Sequence, residues 1–283
     1  MKLLFKLINV ITILLIVNFI FSTESAEARR VIPDNNLRYP IHVTLGDGSK
    51  GSGFYFRHDN RVYFVTARHV LFEKDKNNFI LISTKADLLS YSPDLAIDDP
   101  TEIELNLDKL NNNGLIKYDK FHDVAIVKIA ENNNYIDGVT LKTIGGAIIS
   151  ASTKFMKKFD EVLIGNNVYI FGYPTSLGIK QLPQIDYKRP LLRKGIIAGV
   201  NKKKQTIIID APTYFGNSGG PVIEAEQVDA LNYRFCVIGL VSEIVPFAEE
   251  WINKQYRFSN LQIENSGYSV VVPMDKILEL MNN

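Results

Sequence analysis

Three observations predict an all-β fold closed by a C-terminal helix. Short runs of β-branched and aromatic residues recur at close spacing, turn-forming clusters separate them, and helical periodicity appears only at the end of the chain. The 283 residues are 46% hydrophobic with a formal net charge of +1. That balance is ordinary for a globular protein and lacks the charge excess of a nucleic-acid binder or an acidic disordered segment.

The N-terminus stands apart. Lys2 and Lys6 precede an apolar run from Ile8 to Phe21, and a polar stretch then ends in Ala26-Glu27-Ala28. A basic start, a short apolar centre and an A-x-A site predict a signal peptide spanning 1–28 and cleaved after Ala28. The run is shorter than the roughly 20 residues a spanning helix needs, so no stable membrane anchor is expected after cleavage. Cys236 is the single cysteine. It sits among β-formers as buried filler and can make no internal disulfide, which suits a bacterial periplasmic or secreted protein held together by packing. Neither metal-ligand spacing nor a phosphate-cradling glycine loop is present, so no cofactor and no metal are expected.

Strand-like runs follow in order: Ile41 to Leu45, Gly53 to Arg57 and Val62 to Thr66, separated by Gly46-Asp47-Gly48 and His58-Asp59-Asn60. Phe79 to Ile82, Glu102 to Leu105 and Val124 to Val127 come next, with the polar loop Asn111-Asn112-Asn113-Gly114 between the last two. Residues 131–160 are more polar and read as a crossover between halves. Strands resume at Val168 to Gly172, Lys194 to Gly199, Thr206 to Ile209, Phe235 to Ser242 and Tyr268 to Val272. Asp275 to Met281 carries apolar residues at helical spacing after Pro273, a good first-turn residue.

The chemistry concentrates in Gly216-Asn217-Ser218-Gly219-Gly220-Pro221. Two readings fit this stretch alone. It is a glycine-rich turn between strands, or it presents a serine beside bare amides that would receive the charge of an oxyanion. A nucleophilic serine needs a base and a group to orient that base. Of four histidines, His42 opens a strand and His58 sits in a turn, and both read as surface residues. His69 ends a buried strand at a rim, and His122 precedes Asp123, which by itself reads as a strand-start turn residue.

Together, Thr66-Ala67-Arg68-His69, His122-Asp123-Val124-Ala125-Ile126-Val127 and Gly216 to Pro221 resemble the three catalytic motifs of the chymotrypsin-like serine peptidases. They stand in that family's order, 54 and 95 residues apart. Gly51-Ser52-Gly53-Phe54, Phe171-Gly172-Tyr173-Pro174, Lys194 to Gly199 and Ile238 to Ser242 add supporting matches. The resemblance implies two antiparallel six-stranded β-barrels, 29–145 carrying His69 and Asp123, and 146–283 carrying Ser218 and the terminal helix. It implies Ser218 as nucleophile, His69 as general base and acid, and Asp123 as the orienting group. It further implies an oxyanion hole from the Gly216 and Ser218 amides, a pocket floor at Pro212 and Thr213, and Ser242 beside substrate. The implied partner is a polypeptide substrate.

Departures from the digestive members are informative. Val70 replaces a disulfide cysteine, and Asn217 replaces the aspartate that pairs with a newly cut N-terminus. Maturation by N-terminal insertion is therefore not expected, and the pattern is nearer to bacterial HtrA-type and glutamyl-endopeptidase-like groups. Only a helix follows Val272, so no PDZ domain is expected there. The pocket floor has no acid and the second half no histidine, which points to a small or apolar residue before the cut. Glu243 faces the groove or is a rim charge, and Pro246 to Ser266 forms a flap or a surface loop. A binding protein on a peptidase scaffold and an esterase are the competing functions.

Overall fold

The computed structural model describes residues 31–76, 78–92, 100–144, 146–174, 182–187, 189–230 and 232–282. The expected signal peptide lies outside the described residues. The chain divides into two units, Met1–Pro33 and Asp34–Asn283, and the strands all belong to the second.

After a short helix α1 (Asp34–Leu37), the first half runs β1 (Pro40–Leu45), β2 (Lys50–His58), β3 (Arg61–Thr66), α2 (Arg68–Leu71), β4 (Phe72–Asp75), β5 (Asn78–Leu81) and β6 (Lys85–Ser90). It continues with β7 (Thr101–Asn106), α3 (Leu107–Asn112), β8 (Ile116–Tyr118), β9 (Ala125–Glu131), β10 (Asn134–Tyr135), β11 (Val139–Leu141) and β12 (Ser150–Ser152). Ten of these strands form one sheet along the order β10-β9-β3-β2-β1-β6-β7-β11, with β8 beside β9 and β12 parallel to β2; β4 and β5 make a separate hairpin. Phe54, Tyr55 and Phe56 of β2 and Phe64 and Val65 of β3 are fully buried. These central strands are covered on both faces, which is why their sequence is continuously apolar rather than alternating.

The second half is β13 (Asn167–Gly172), β14 (Leu191–Asn201), β15 (Thr206–Asp210), β16 (Pro221–Gln227), β17 (Tyr233–Asn253), β18 (Phe258–Pro273) and α4 (Met274–Asn282). The six strands close into a barrel in the order β13-β14-β15-β18-β17-β16. Inward residues at period two build its core: Val168 and Ile170, Ile207 and Ile209, with Ile197, Val222, Ile238 and Val271. Each such burial contributes roughly 1.5–3 kcal/mol. Helix α4 buries Met274, Ile277, Leu280 and Met281, the face its spacing predicts. Buried Lys157 pairs with Glu224 at 2.9 Å and Glu226 at 3.0 Å, tying the crossover to β16. The all-β, chymotrypsin-like architecture ending in a helix is thus the one expected.

Several local expectations change. His42 is not a surface residue: it is 8% exposed and stacks on Tyr173 with ring centroids 4.8 Å apart. The stretch 111–114 is not all loop: Asn111 and Asn112 end α3, Asn113 caps it and Gly114 turns the chain, while at the start of the helix Asn106 Oδ1 accepts from the Lys109 amide at 2.9 Å. Pro246 to Ser266 is neither flap nor loop but an extension of β17 and β18 into one long hairpin.

Candidate active site

Strand β3 ends at Thr66, as its sequence suggests, and His69 does not end that strand but lies in the short helix α2. Asp123 lies just before β9, which pairs with β3 through Thr66↔Ala125. That pairing brings the two side chains together. His69 Nδ1 is 2.6 Å from Asp123 Oδ2, and the His69 amide donates to Asp123 Oδ1 at 3.0 Å. Ser242 Oγ donates to Asp123 Oδ2 at 3.0 Å. Burial pushes the Asp123 carboxyl up. The hydrogen bonds and charge of His69 and the Ser242 hydroxyl outweigh it, so its pKa lies below the usual carboxylate value. A carboxylate only accepts hydrogen bonds, so the Nδ1 atom carries the imidazole proton and Nε2 keeps its lone pair toward the cleft.

Ser218 reaches the same cleft from the second barrel. Its hydroxyl points to the Ser242 carbonyl at 3.4 Å, and among the described residues no hydrogen bond joins it to His69. His69, Ser218 and Ser242 border a cavity of about 220 Å³. Tyr214, Phe215, Val241 and Ile244 give it apolar walls, and Glu243, exposed, supplies its one acid. Thr213 lines it too, but its hydroxyl is 2.8 Å from Ser269 Oγ, which donates to the Ala211 carbonyl.

The loop before Ser218 has a defined conformation. Tyr214 to Asn217 is a turn closed by the Asn217 amide donating to the Tyr214 carbonyl at 2.9 Å, with Gly216 at φ +95°. Positive φ at the third residue is type II geometry; a type I turn would swing the Phe215–Gly216 peptide by roughly 150°. Among the described residues, neither the Gly216 amide nor the Ser218 amide donates to a protein group. Asn217 is buried, and its Oδ1 accepts from the Tyr214 amide at 3.1 Å.

The other support comes from Ser52, fully buried in β2, whose role sequence reading missed. Its hydroxyl donates to the Gly216 carbonyl at 2.6 Å and accepts from the Tyr173 amide at 3.0 Å. Its own amide donates to the Ser218 carbonyl at 2.9 Å. Gly219, at φ +86°, lies so close that an added Cβ would collide with the Ser52 carbonyl and the Thr66 hydroxyl. The Gly51-Ser52-Gly53-Phe54 match carried a signal, since a small polar residue between glycines in a buried strand needs partners.

Comparison with known proteins gives a family match and structural likenesses. Residues 51–228 match the family described as trypsin-like peptidase domain. No curated protein matches. Among solved structures, an HtrA-type protease AlgW with tripeptide is similar at 18% identity and TM-score 0.46, over 88% of this chain and 62% of that one. A serine endoprotease from Yersinia pestis is similar at 16% identity and TM-score 0.48, over 90% of this chain and 67% of the other. The chain thus spans less than two thirds of the length of the first of these structures.

Proposed function

The chain belongs to the trypsin-like peptidase family, and on that premise we propose that it is a secreted or periplasmic serine endopeptidase acting through Ser218, His69 and Asp123. The observation that carries this reading is the 2.6 Å His69–Asp123 pair bordering the cavity that Ser218 also borders. Ser218 Oγ attacks the scissile carbonyl while His69 Nε2 takes its proton. The carbonyl electrons move onto oxygen, where the Gly216 and Ser218 amides receive the charge. The C–N bond then breaks, the amine leaves with the proton from His69, and an acyl-enzyme remains on Ser218. Water, deprotonated by His69, releases the acid and restores Ser218. Asp123 keeps the imidazole in the tautomer this cycle requires and stabilises its cation.

The turn geometry supports an oxyanion site present at rest, without N-terminal insertion. Asn217 and Ser52 hold from within the fold what an inserted terminus would hold from outside. The walls of the cavity support an apolar side chain before the cleaved bond, with Thr213 and Ser242 beside the substrate. The test is labelling by a fluorophosphonate probe together with cleavage of a peptide library. Wild type should be labelled and should cut after apolar residues, and Ser218→Ala should do neither. Labelling that persists in Ser218→Ala removes the serine from its role. Labelling without peptide cleavage favours an esterase, no labelling favours a binding protein, and a preference for Arg or Lys overturns the pocket assignment.

A further inference from the structure

Beyond the barrel, β17 and β18 continue as a ribbon from Pro246↔Asn265 to Asn253↔Phe258, closed by a turn in which Arg257 takes φ +52°. Among the described residues no third strand pairs with this part of either strand. Residues directly opposite share a face, and alternate residues change face. One face therefore presents Ile252, Leu261 and Ile263, 59–64% exposed. The other presents Phe247, Trp251 and Phe258, 52–60% exposed, and Tyr256 at the turn is 70% exposed. A two-stranded ribbon is marginal by itself in water, and this much apolar surface marks a contact site.

Two features identify what covers it. A protein groove covers one face of a ribbon, whereas here both faces carry large exposed apolar side chains at the tip, Ile252 on one and Trp251 and Phe258 on the other, so the cover surrounds the tip. The charges are also sorted along the arm: Glu264 lies at the root opposite Phe247, Glu249 and Glu250 lie midway opposite Gln262 and Leu261, and from Trp251 to Ile263 the only charged residues are Lys254 and Arg257. Aromatic rings with cations at the leading end match the interface of an anionic bilayer. We propose that the tip of this arm, Trp251 to Asn260, enters the headgroup layer of a membrane rich in anionic lipid. The contact is peripheral: the unpaired ribbon edges cannot enter hydrocarbon, and the three glutamates behind the tip stay in water. At about 3.3 Å per residue the seven steps from Ile244 to Trp251 let the cavity stand up to about 23 Å from the surface. The contact does not depend on the catalytic reading, so failure of one leaves the other standing.

Trp251 is the only tryptophan in the chain, so its fluorescence reports the arm even where the N-terminal apolar run also holds lipid. With the full chain, vesicles containing phosphatidylglycerol should shift the emission to the blue, and lipids brominated near the headgroup should quench it. Pure phosphatidylcholine vesicles and 0.5 M salt should weaken the response by about tenfold or more. The Lys254→Glu, Arg257→Glu double variant should do the same, with unchanged circular dichroism. If that variant fails to fold, the comparison of the two lipids decides. An emission that vesicles leave unchanged overturns the proposal. So does an equal response to both lipids, or a blue shift that grows with protein concentration in the absence of lipid, which would make a second copy the cover.

Discussion

The Tyr214–Asn217 turn and the distal arm both belong to the second barrel's chain, yet they are held in opposite ways. The turn is four residues long, and three other elements fix it: Ser52 from β2 bonds to Gly216 and Ser218, Tyr173 bonds to that same serine, and the Val241 carbonyl accepts from the Gly219 amide at 2.7 Å. Beyond Asn265 the arm is held by its own ladder alone, with its side chains in solvent. A segment fixed by contacts from distant parts of the chain has one conformation and can aim a dipole. A segment fixed only locally opens at low cost and suits an adaptable contact.

The largest effects should fall on the fixed region. Asp123→Asn preserves the shape but reverses what the group offers His69 Nδ1, leaving the imidazole in the wrong tautomer. A fall in kcat of about 10⁴-fold is expected, by analogy with the buried triad aspartate. Peptide hydrolysis measured from pH 6 to 9 checks this; a loss under tenfold would mean the His69–Asp123 pair serves only the fold.

Next comes Ser52→Ala. It strands the Gly216 carbonyl and the Tyr173 amide, both otherwise satisfied by one hydroxyl. Leaving buried polar groups unpaired costs about 1–3 kcal/mol. The loss should appear chiefly in kcat, by about tenfold to a hundredfold, because an oxyanion donor acts in the transition state. A loss confined to urea stability with kcat unchanged would show that Ser52 packs the turn without aiming it.

Much of this difference was legible in the sequence, and unevenly. The three motifs located His69, Asp123 and Ser218 because each is a local pattern at the end of a strand. For Ser52 the flanking glycines marked a polar residue in need of partners, but those partners, Tyr173 and Gly216, are 121 and 164 residues away, and only the fold brings them near. Helix α3 was missed for the opposite reason. Its Asn106 cap was visible, but the asparagine run and Gly114 dominated the reading. The arm was ambiguous because a strand with both faces exposed has no alternating pattern to reveal it. His42 was misjudged because histidine is usually wet; here β2 and Tyr173 cover it.

That burial has a consequence for pH. Desolvation first, and then the charge of Lys50, lower the His42 pKa from 6.5 to about 4. Between those values the unfolded chain binds more protons than the folded one, so stability falls as pH drops through this window. The full change is about 3 kcal/mol, complete near pH 4. Urea titrations at pH 7 and pH 4.5 should show it, and His42→Phe should flatten the dependence. Trp251 emission in the folded protein should not change over the same range. If it does, the arm is coupled to the core and the two regions are not independent.

The smallest effect tests the boundary between them. Asn265 Nδ2 donates to the Thr213 carbonyl at 2.7 Å, and Ser266 Oγ donates to the Val245 carbonyl at 2.6 Å. The first bond ties the root of the arm to the wall of the cavity, the second ties β18 to β17 at that root, and nothing beyond them reaches the wall among the described residues. Phe247 and Glu264 face one another in the ladder, so replacing 248–263 by Asn-Gly leaves a two-residue hairpin of favoured geometry. Hydrolysis of a soluble peptide should then stay within about threefold of wild type, the range of surface changes away from a site. Asn265→Ala, at the root, should raise KM more than the whole deletion does, because it frees the Thr213 wall. A deletion that instead lowers kcat/KM beyond tenfold would place the arm in the substrate groove and move the boundary outward from Asn265.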